Sequence, residues 1–198
     1  MSKNYSFEPV YSQLIKDRVV LLNDELDRKL ASGIVASLLL FEHENNQAII
    51  SFYINSPGGD VSSLFAVYDM MQIISAPIRT ICVGEACSSA AILLAAGSKG
   101  MRFATQNSRV MIHQIQIDGV AGRGTDIEVE AKEIKIIKRS MTEVLARHTG
   151  QTYRKVYRDC ENDTYLSADE AQKYGIIDEI LKPSKVVEAL KNRTKTNV

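Results

Sequence analysis

The sequence predicts a single α/β domain spanning residues 1–198. Short β-rich runs alternate with segments of helical periodicity along the chain, and this alternation is typical of α/β proteins. No repeat, low-complexity tract or Pro/Gly-rich linker divides the 198 residues, a length that allows one domain with a sizeable core. Hydrophobic residues make up 45% and charged residues 24%, as in ordinary soluble globular proteins.

The first half of the chain predicts two strand–helix units. A short helix gives way to a strand at Val19, and a second β-rich run ends in the turn Ser56-Pro57-Gly58-Gly59. Asp60 after this turn can cap a helix. The predicted elements are a helix over 14–18, a strand over 19–22, a helix over 24–41, a strand over 48–55 and a helix over 60–74.

The second half repeats the pattern and contains a long helix. Capping-box sequences at 125–128 and at 167–170 predict the starts of two helices. The predicted elements are a strand over 78–83, a turn over 84–87, a helix over 88–96, a strand over 109–114, a loop over 115–124, a helix from about 126 to 148, a helix over 167–175 and a strand over 176–181. Apolar residues spread widely around the long helix, which favours a second packing partner and hence an oligomer.

Composition excludes several function classes. Lys plus Arg and Asp plus Glu both number 24, so the neutral chain offers no general field for nucleic acid or an anionic membrane. The apolar stretch 86–96 is too short to span a bilayer, and residues 1–10 lack the apolar core of a signal peptide. The basic tail 191–198 predicts a frayed terminus. No cluster has metal-ligand spacing and no Gly-Lys-Ser/Thr loop binds phosphate, so we expect no metal or cofactor.

The cysteines indicate the compartment. The chain has three, Cys82, Cys87 and Cys160, with no CxxC pair and one left over. This favours a reducing environment and no disulfide framework. We therefore expect a cytoplasmic protein.

A candidate nucleophile stands where a strand meets an apolar helix. The segment 82–91 runs through a small-residue turn and places Ser88 at a helix N-terminus. Unpaired N–H groups and the helix dipole favour negative charge there, as an acyl-transfer oxyanion requires. Ser88 or Ser89 acting only as a helix N-cap is the alternative. Cys87 is a less favoured nucleophile, because small buried cysteines are common in turns.

A hydroxyl nucleophile needs a base, and the chain offers three histidines. His43 lies in a polar loop, and His148 lies in the last turn of the long helix, where a cation suits the dipole. His113 ends an apolar strand before a glycine-containing loop, where α/β sites gather, although a half-buried structural histidine gives the same pattern. For the acid that orients the imidazole, spacing leaves Asp159 and Asp163 equally open.

These segments together resemble the Clp protease family, in particular its proteolytic subunits. The similarity runs from about residue 11 to 181, and the motifs include Tyr-Ile-Asn-Ser-Pro-Gly-Gly at 53–59 and Asn-Ser-Arg-Val-Met-Ile-His-Gln at 107–114. The other matching stretches are 11–18, 80–96 and 166–168.

The resemblance implies a serine endopeptidase site. It identifies Ser88 as the nucleophile, His113 as the base and Asp163, rather than Asp159, as the orienting acid. The backbone N–H groups of Gly59 and Ser89 become the oxyanion donors. Extended peptides would lie between two segments, whose residues are Gly59, Asp60 and Val61 on one side and Ile115, Gln116 and Ile117 on the other.

The resemblance also implies a fold and partners. The family fold is a crotonase-like ββα spiral with a protruding handle helix, here about 126–148, which interleaves two stacked heptameric rings of this subunit or a paralogue. An AAA+ Clp unfoldase uses ATP to feed unfolded polypeptides into the chamber, while this chain binds no nucleotide. The family pattern is altered at a short N-terminal segment 1–10, at Ser51 and Ile73 in the unfoldase-docking pocket, and at Asn162, where Arg often precedes the acid.

Two rival functions remain beside an active serine endopeptidase. A non-catalytic or weakly active ring subunit that assembles with a second paralogue fits the altered gate and docking positions. A crotonase-fold enzyme acting on acyl-CoA is disfavoured by the neutral surface and by the Ser/His/Asp set.

Overall fold

A computed structural model describes residues 8–117, 119 and 121–182 of the chain. Most of the predicted N-terminal segment 1–10 and the whole basic tail 191–198 lie outside the described residues. Helices and strands alternate as predicted, which confirms the α/β class. The helices are α1 (Glu8–Lys16), α2 (Arg28–Glu44), α3 (Val61–Ile73), α4 (Ser89–Ala95), α5 (Gly124–Thr149), α6 (Tyr153–Asp159) and α7 (Ala168–Tyr174). The strands are β1 (Val19–Leu22), β2 (Ile50–Ser56), β3 (Ile78–Cys87), β4 (Arg102–Thr105), β5 (Arg109–Ile112), β6 (Thr164–Ser167) and β7 (Glu179–Leu181).

Within the described residues the strands form one seven-stranded sheet. Its main path runs β1-β2-β3-β4-β7, with all neighbours parallel. Strand β5 pairs in parallel with β3 and antiparallel with β6. Burial alternates along β2 of the main path: Ile50, Phe52 and Ile54 have no exposed surface, whereas Tyr53 between them is 40% exposed, so one face of this strand is covered more fully than the other.

Strand β3 connects the two parts of the sheet. Its first half pairs with β4 through Thr80–Cys82, and its second half pairs with β5 through Glu85–Cys87. The change of neighbour occurs at Gly84, whose φ is +96°, a conformation that glycine adopts without strain. The prediction of a turn over 84–87 is therefore wrong, because the Asn55 side-chain oxygen accepts the Glu85 N–H at 3.2 Å and the strand continues through the bend.

Helix α2 begins later than predicted. Asp27 caps it, with the Asp27 carboxylate accepting the Leu30 N–H at 2.7 Å. Leu26, which falls inside the predicted helix 24–41, instead pairs as an isolated parallel bridge with Gly59. Its side chain is fully buried, so it contributes to the core from extended backbone. Helix α3 begins after the predicted cap, because Asp60 accepts the Ser63 N–H at 2.8 Å.

The long helix α5 is buried at one end only. Its buried residues lie near the C-terminal end, at Met141, Thr142, Val144 and Leu145. Toward the N-terminal end Ile127 is 43% and Val129 65% exposed. The predicted capping box at 125–128 does not form; the Asp126 carboxylate instead accepts the Arg123 backbone N–H at 3.1 Å. The helix therefore starts at Gly124 and projects an apolar surface.

Three elements escaped prediction: β4, α6 and β6. Strand β4 is Arg-Phe-Ala-Thr, in which polar and apolar residues alternate over only four positions and no apolar run like that of β5 marks a strand. Arg102 at its start is buried because its guanidinium pairs with Asp178, at 2.6 Å for the closest contact, and donates to the carbonyls of His148 and Gly175. Boundaries also moved: β5 ends at Ile112 and β7 starts at Glu179.

No helix among the residues that the structure describes is long and apolar enough to cross a membrane. Cys82, Cys87 and Cys160 are all free and buried.

Candidate active site

The ends of three neighbouring strands bring together the predicted nucleophile, base and acid. Ser88 follows β3, whose last residue Cys87 pairs with Met111 of β5. His113 follows β5. Asp163 precedes β6, whose first residue Thr164 pairs with Ile112. Because β3 runs parallel and β6 antiparallel to β5, the C-terminal ends of β3 and β5 lie beside the N-terminal end of β6. All three side chains therefore lie at the same end of these strands.

The side chains form one hydrogen-bonded series. His113 Nε2 lies 2.7 Å from Ser88 Oγ, and His113 Nδ1 lies 3.1 Å from Asp163 Oδ1. With its proton on Nδ1, the imidazole donates to the carboxylate and accepts the Ser88 hydroxyl proton. The His113 side chain is 11% exposed and that of Asp163 48%. The His113 imidazole is therefore shielded from solvent, whereas the Asp163 carboxylate borders it.

The two candidate acids that spacing left open have different partners. Asp159 pairs with Lys155 and Arg158 and accepts the Tyr174 hydroxyl at 3.1 Å. Burial is the largest single influence on the pKa of Asp159 and raises it. The hydrogen bonds and the Lys155 ammonium together outweigh burial, so the pKa is lowered overall. Asp159 thus joins α6 to α7, and Asp163 is the carboxylate beside His113.

Ser88 has a strained backbone. Its φ and ψ are 56° and −121°, which are uncommon for a residue with a Cβ and cost about 1–3 kcal/mol. The Ser88 N–H donates to the Met111 carbonyl at 2.8 Å, and this bond holds the turn. Ser88 occupies the N-cap position of α4, yet its side chain makes no capping hydrogen bond. The simple N-cap role therefore does not account for its hydroxyl, which contacts His113.

The glycine pair lies directly against this turn. Gly58 has φ +102°, and a Cβ added to it would stand 2.7 Å from the Ser88 Cβ and from the Cys87 carbonyl oxygen. Only glycine allows so close an approach. The Leu26 N–H donates to the Gly58 carbonyl at 2.7 Å, and the Asp60 N–H donates to the Leu26 carbonyl at 2.9 Å. Leu26 thus holds the loop from both sides.

Comparison with known proteins identifies the family. The family model described as Clp protease matches residues 2–184. The chain belongs to the Clp protease family. A curated relative, "ATP-dependent Clp protease proteolytic subunit 3" of Frankia casuarinae, is 47% identical over 190 residues, which cover 96% of this chain and 88% of the relative. The mixed sheet with its flanking helices agrees with the predicted Clp protease fold, and α5 corresponds to the predicted handle.

In this Clp protease chain the predicted substrate residues fall into two groups. A narrow cleft beside Ser88 includes Ile115, and its wall is completed by side chains of α5, which are Lys138, Met141, Thr142 and Leu145. Gln116 and Ile117 continue from Ile115 as exposed residues. On the other side Gly59 lies beside Ser89. The Asp60 carboxylate accepts hydrogen bonds from the hydroxyls of Ser62 and Ser63.

Cys87 is poorly suited to be the nucleophile. Burial, followed by the nearby Glu85 carboxylate, raises the pKa of the Cys87 thiol to about 11, so at neutral pH it is protonated. A thiol reacts as its thiolate. The geometry and the charge state both favour Ser88.

His148 differs from its prediction as a cation at the end of α5. Burial, and then the charges of Arg102 and Arg147, lower its pKa to about 4. Its Nε2 lies 3.1 Å from the Tyr68 hydroxyl. His148 is therefore neutral at pH 7, and its role is packing between α3 and α5.

Sequence reasoning missed the residues that hold the glycine loop in this Clp protease. Ser56, within the recognised motif, accepts the Gly58 N–H at 3.1 Å and donates to the Asp24 carbonyl at 2.6 Å. Its full burial is the structural reason for a serine there. Leu26 gave no local signal, because its partner Gly59 is distant in sequence.

Proposed function

We propose that this chain is the proteolytic subunit of an ATP-dependent Clp protease and acts as a serine-type endopeptidase on unfolded polypeptides. The observation that carries the proposal is the 2.7 Å contact between Ser88 Oγ and His113 Nε2. The 3.1 Å contact between His113 Nδ1 and Asp163 supports it. The family assignment supplies the protease class.

Acylation begins with proton transfer. Ser88 Oγ attacks the peptide carbonyl carbon as its proton moves to His113 Nε2, and the carbonyl electron pair moves onto oxygen. Collapse of this tetrahedral intermediate breaks the C–N bond, and His113 Nε2 gives its proton to the leaving amine. Asp163 accepts the Nδ1–H and stabilises the imidazolium.

Deacylation repeats these steps with water. His113 Nε2 removes a proton from water as the oxygen attacks the Ser88 ester. The ester C–O bond then breaks, the proton returns to Ser88 Oγ, and a carboxylic acid product leaves. Water is the co-reactant of the proposed cycle, and no step changes an oxidation state.

The oxyanion donors in this proposal are the N–H groups of Gly59 and Ser89. Among the described residues, neither N–H donates to another backbone or side-chain acceptor. Gly58 lies against the turn at Ser88, and the Gly59 carbonyl accepts the Ser89 hydroxyl at 2.9 Å; this proximity supports a position for both donors beside the Ser88 hydroxyl. Preorganised donors of this kind commonly supply the largest part of the rate enhancement.

The family assignment supports an oligomeric particle that works with a Clp unfoldase. We propose stacked heptameric rings of this chain, or of this chain and a paralogue, with α5 at the ring-to-ring contact. The exposed Val129 and Ile136, 65% and 58% accessible in the isolated chain, support such a contact. ATP hydrolysis belongs to the AAA+ unfoldase, and the reduced cysteines support a cytoplasmic location.

The decisive experiment replaces Ser88. Ser88→Ala should lower hydrolysis of a fluorogenic peptide by about 10,000-fold or more while the native mass of the particle stays unchanged. Ser32→Ala is the matched control, because Ser32 is an exposed helical serine that does not line the cleft beside Ser88. Hydrolysis by Ser88→Ala at the wild-type rate would refute the proposal.

Labelling with a fluorophosphonate separates the active subunit from a non-catalytic one. We expect one adduct per chain, on the peptide containing Ser88, in the assembled particle. Unlabelled Ser88 both alone and in particles with a paralogue would favour the structural role instead.

A further inference from the structure

The Ser89 side chain connects the nucleophile's helix to the glycine loop. Ser89 Oγ donates to the Gly59 carbonyl at 2.9 Å, and the Ser89 residue is only 1% exposed. Serine hydroxyls commonly hydrogen-bond to neighbouring backbone groups of their own segment. Here the Ser89 hydroxyl bonds to a loop that precedes it by thirty positions.

The two peptide groups on either side of Gly59 have four polar groups. The Gly58 carbonyl accepts the Leu26 N–H, and the Asp60 N–H donates to the Leu26 carbonyl. The Gly59 carbonyl accepts the Ser89 hydroxyl. Among the described residues the Gly59 N–H has no acceptor. Three of these groups are therefore bonded, and the fourth remains available to a substrate.

Gly59 needs such restraint. Its φ of +149° belongs to a region that side chains rarely adopt, and glycine has more backbone freedom than any other residue. Leu26 restrains the loop from the side of β1 and α2. Without the Ser89 hydroxyl, the Gly59 carbonyl would have no bonding partner on the side of the nucleophile.

We propose that Ser89 is a positioning residue for catalysis: its hydroxyl fixes the Gly59 carbonyl and thereby the backbone conformation of Gly59, which keeps the Gly59 N–H of the adjacent peptide group pointing at the developing oxyanion. This inference rests on the proposed serine peptidase function. Ser89 thus has two roles on one residue, a backbone N–H that donates to the oxyanion and a side chain that orients the other donor.

Loss of the hydroxyl should weaken transition-state stabilisation without weakening substrate binding. We expect Ser89→Ala to lower kcat by about 10-fold with KM unchanged, less than the roughly 100- to 1,000-fold loss seen when an oxyanion donor is removed altogether. The affinity of a peptide boronate, whose adduct with Ser88 places an oxygen in the same position, should fall by a similar factor. Ser89→Thr, which keeps the donor, should recover most of the rate.

Ser108→Ala provides the control for a merely structural effect. Ser108 is also 1% exposed, and its hydroxyl also donates to a backbone carbonyl, that of Cys82, at 3.0 Å. Both alanine variants should lower the unfolding midpoint similarly, whereas Ser108→Ala should keep the wild-type kcat and boronate affinity.

Ser88→Ala is measured in parallel, so that the two ideas fail separately. If Ser88→Ala is inactive but Ser89→Ala retains kcat and boronate affinity within twofold, the positioning role is wrong and the peptidase stands. If Ser88→Ala remains active, or if wild-type protein neither cleaves peptide nor takes up a fluorophosphonate, both proposals fall.

Discussion

Asp163 Oδ1 contacts His113 Nδ1 at 3.1 Å although nearly half of the Asp163 side chain, 48%, is exposed. The preceding residue, Asn162, carries no charge, and Thr164 ties the same loop to the Asp159 carbonyl at 2.7 Å. Gln114 adds a second tie, because its backbone N–H donates to the Cys160 carbonyl at 2.8 Å. The loop, rather than burial of the carboxylate, therefore keeps Asp163 beside His113.

Asp163→Asn should impair catalysis more than stability. The amide can favour the wrong imidazole tautomer, a change that costs about 10,000-fold in a well-studied triad. Because water screens the exposed carboxylate, we expect a kcat loss of about 100- to 1,000-fold. Steady-state peptide hydrolysis measures it. Asp159→Asn is the control, since its partners are Lys155 and Tyr174: it should lower stability and leave kcat intact. The reverse pattern would contradict the assignment.

Gly58→Ala should disrupt the active site through a steric clash. The added Cβ meets the Ser88 Cβ and the Cys87 carbonyl oxygen at 2.7 Å, while φ is +102°. We expect a loss of about 2–4 kcal/mol in unfolding free energy and loss of peptide hydrolysis. Gly100→Ala is matched in backbone strain, with φ +82°, but meets no atom within 4 Å. It should cost only about 1 kcal/mol and remain active in urea-titration and hydrolysis assays. Equal effects of the two substitutions would show that the clash is unimportant.

His148 should make stability depend on pH. Its pKa is lowered from 6.5 to about 4 in the folded protein, so between these values the unfolded chain binds more protons. The free energy of unfolding should therefore rise with pH across this window, and the His148 contribution should be fully lost only below about pH 4. Denaturant titrations at intervals from pH 4 to 7 measure the slope.

His148→Gln should reduce that slope, because the titrating group is gone while an amide can still bond to Tyr68. His43 lies on the exposed end of α2, and His43→Gln should leave the slope unchanged. An identical slope in wild type and His148→Gln would place the pH dependence in other groups.

Val129→Glu should prevent assembly. Val129 is 65% exposed on the projecting part of α5, so the substitution costs the isolated chain little, but it places a charge in the proposed contact between rings. Native mass spectrometry should detect smaller particles than for wild type. Lys132→Gln, on the same exposed part of α5, should assemble normally. Full-size particles formed by Val129→Glu would exclude this surface from the contact.

The sequence pointed to Ser88 and His113, the proposed nucleophile and base, because each has a local signal. Ser88 follows a strand and opens an apolar helix, and His113 ends an apolar strand, so strand and helix periodicity alone brought both to strand ends. Their separation could not be predicted, because it depends on which strands become neighbours. The pairing of Cys87 with Met111 is what places them 2.7 Å apart.

The position of Asp163 and the bend at Gly84 could not be predicted, because both depend on contacts between residues that are distant in sequence. Spacing could not separate Asp159 from Asp163, because β6 is four residues long and was not detected. Its antiparallel pairing of Thr164 with Ile112 puts Asp163 opposite His113. Gly84 was expected to end a strand, as glycine commonly does; the side chain of Asn55, which stabilises the bend, is on another strand.

The bend in β3 should make catalytic activity more sensitive to local unfolding than the secondary structure as a whole. One continuous strand borders both β4 and β5, so the serine hydroxyl keeps its alignment only while both groups of strands remain attached. Local opening on either flank would displace the reacting atoms long before the chain unravels. During gradual heating, turnover should consequently decline ahead of circular dichroism.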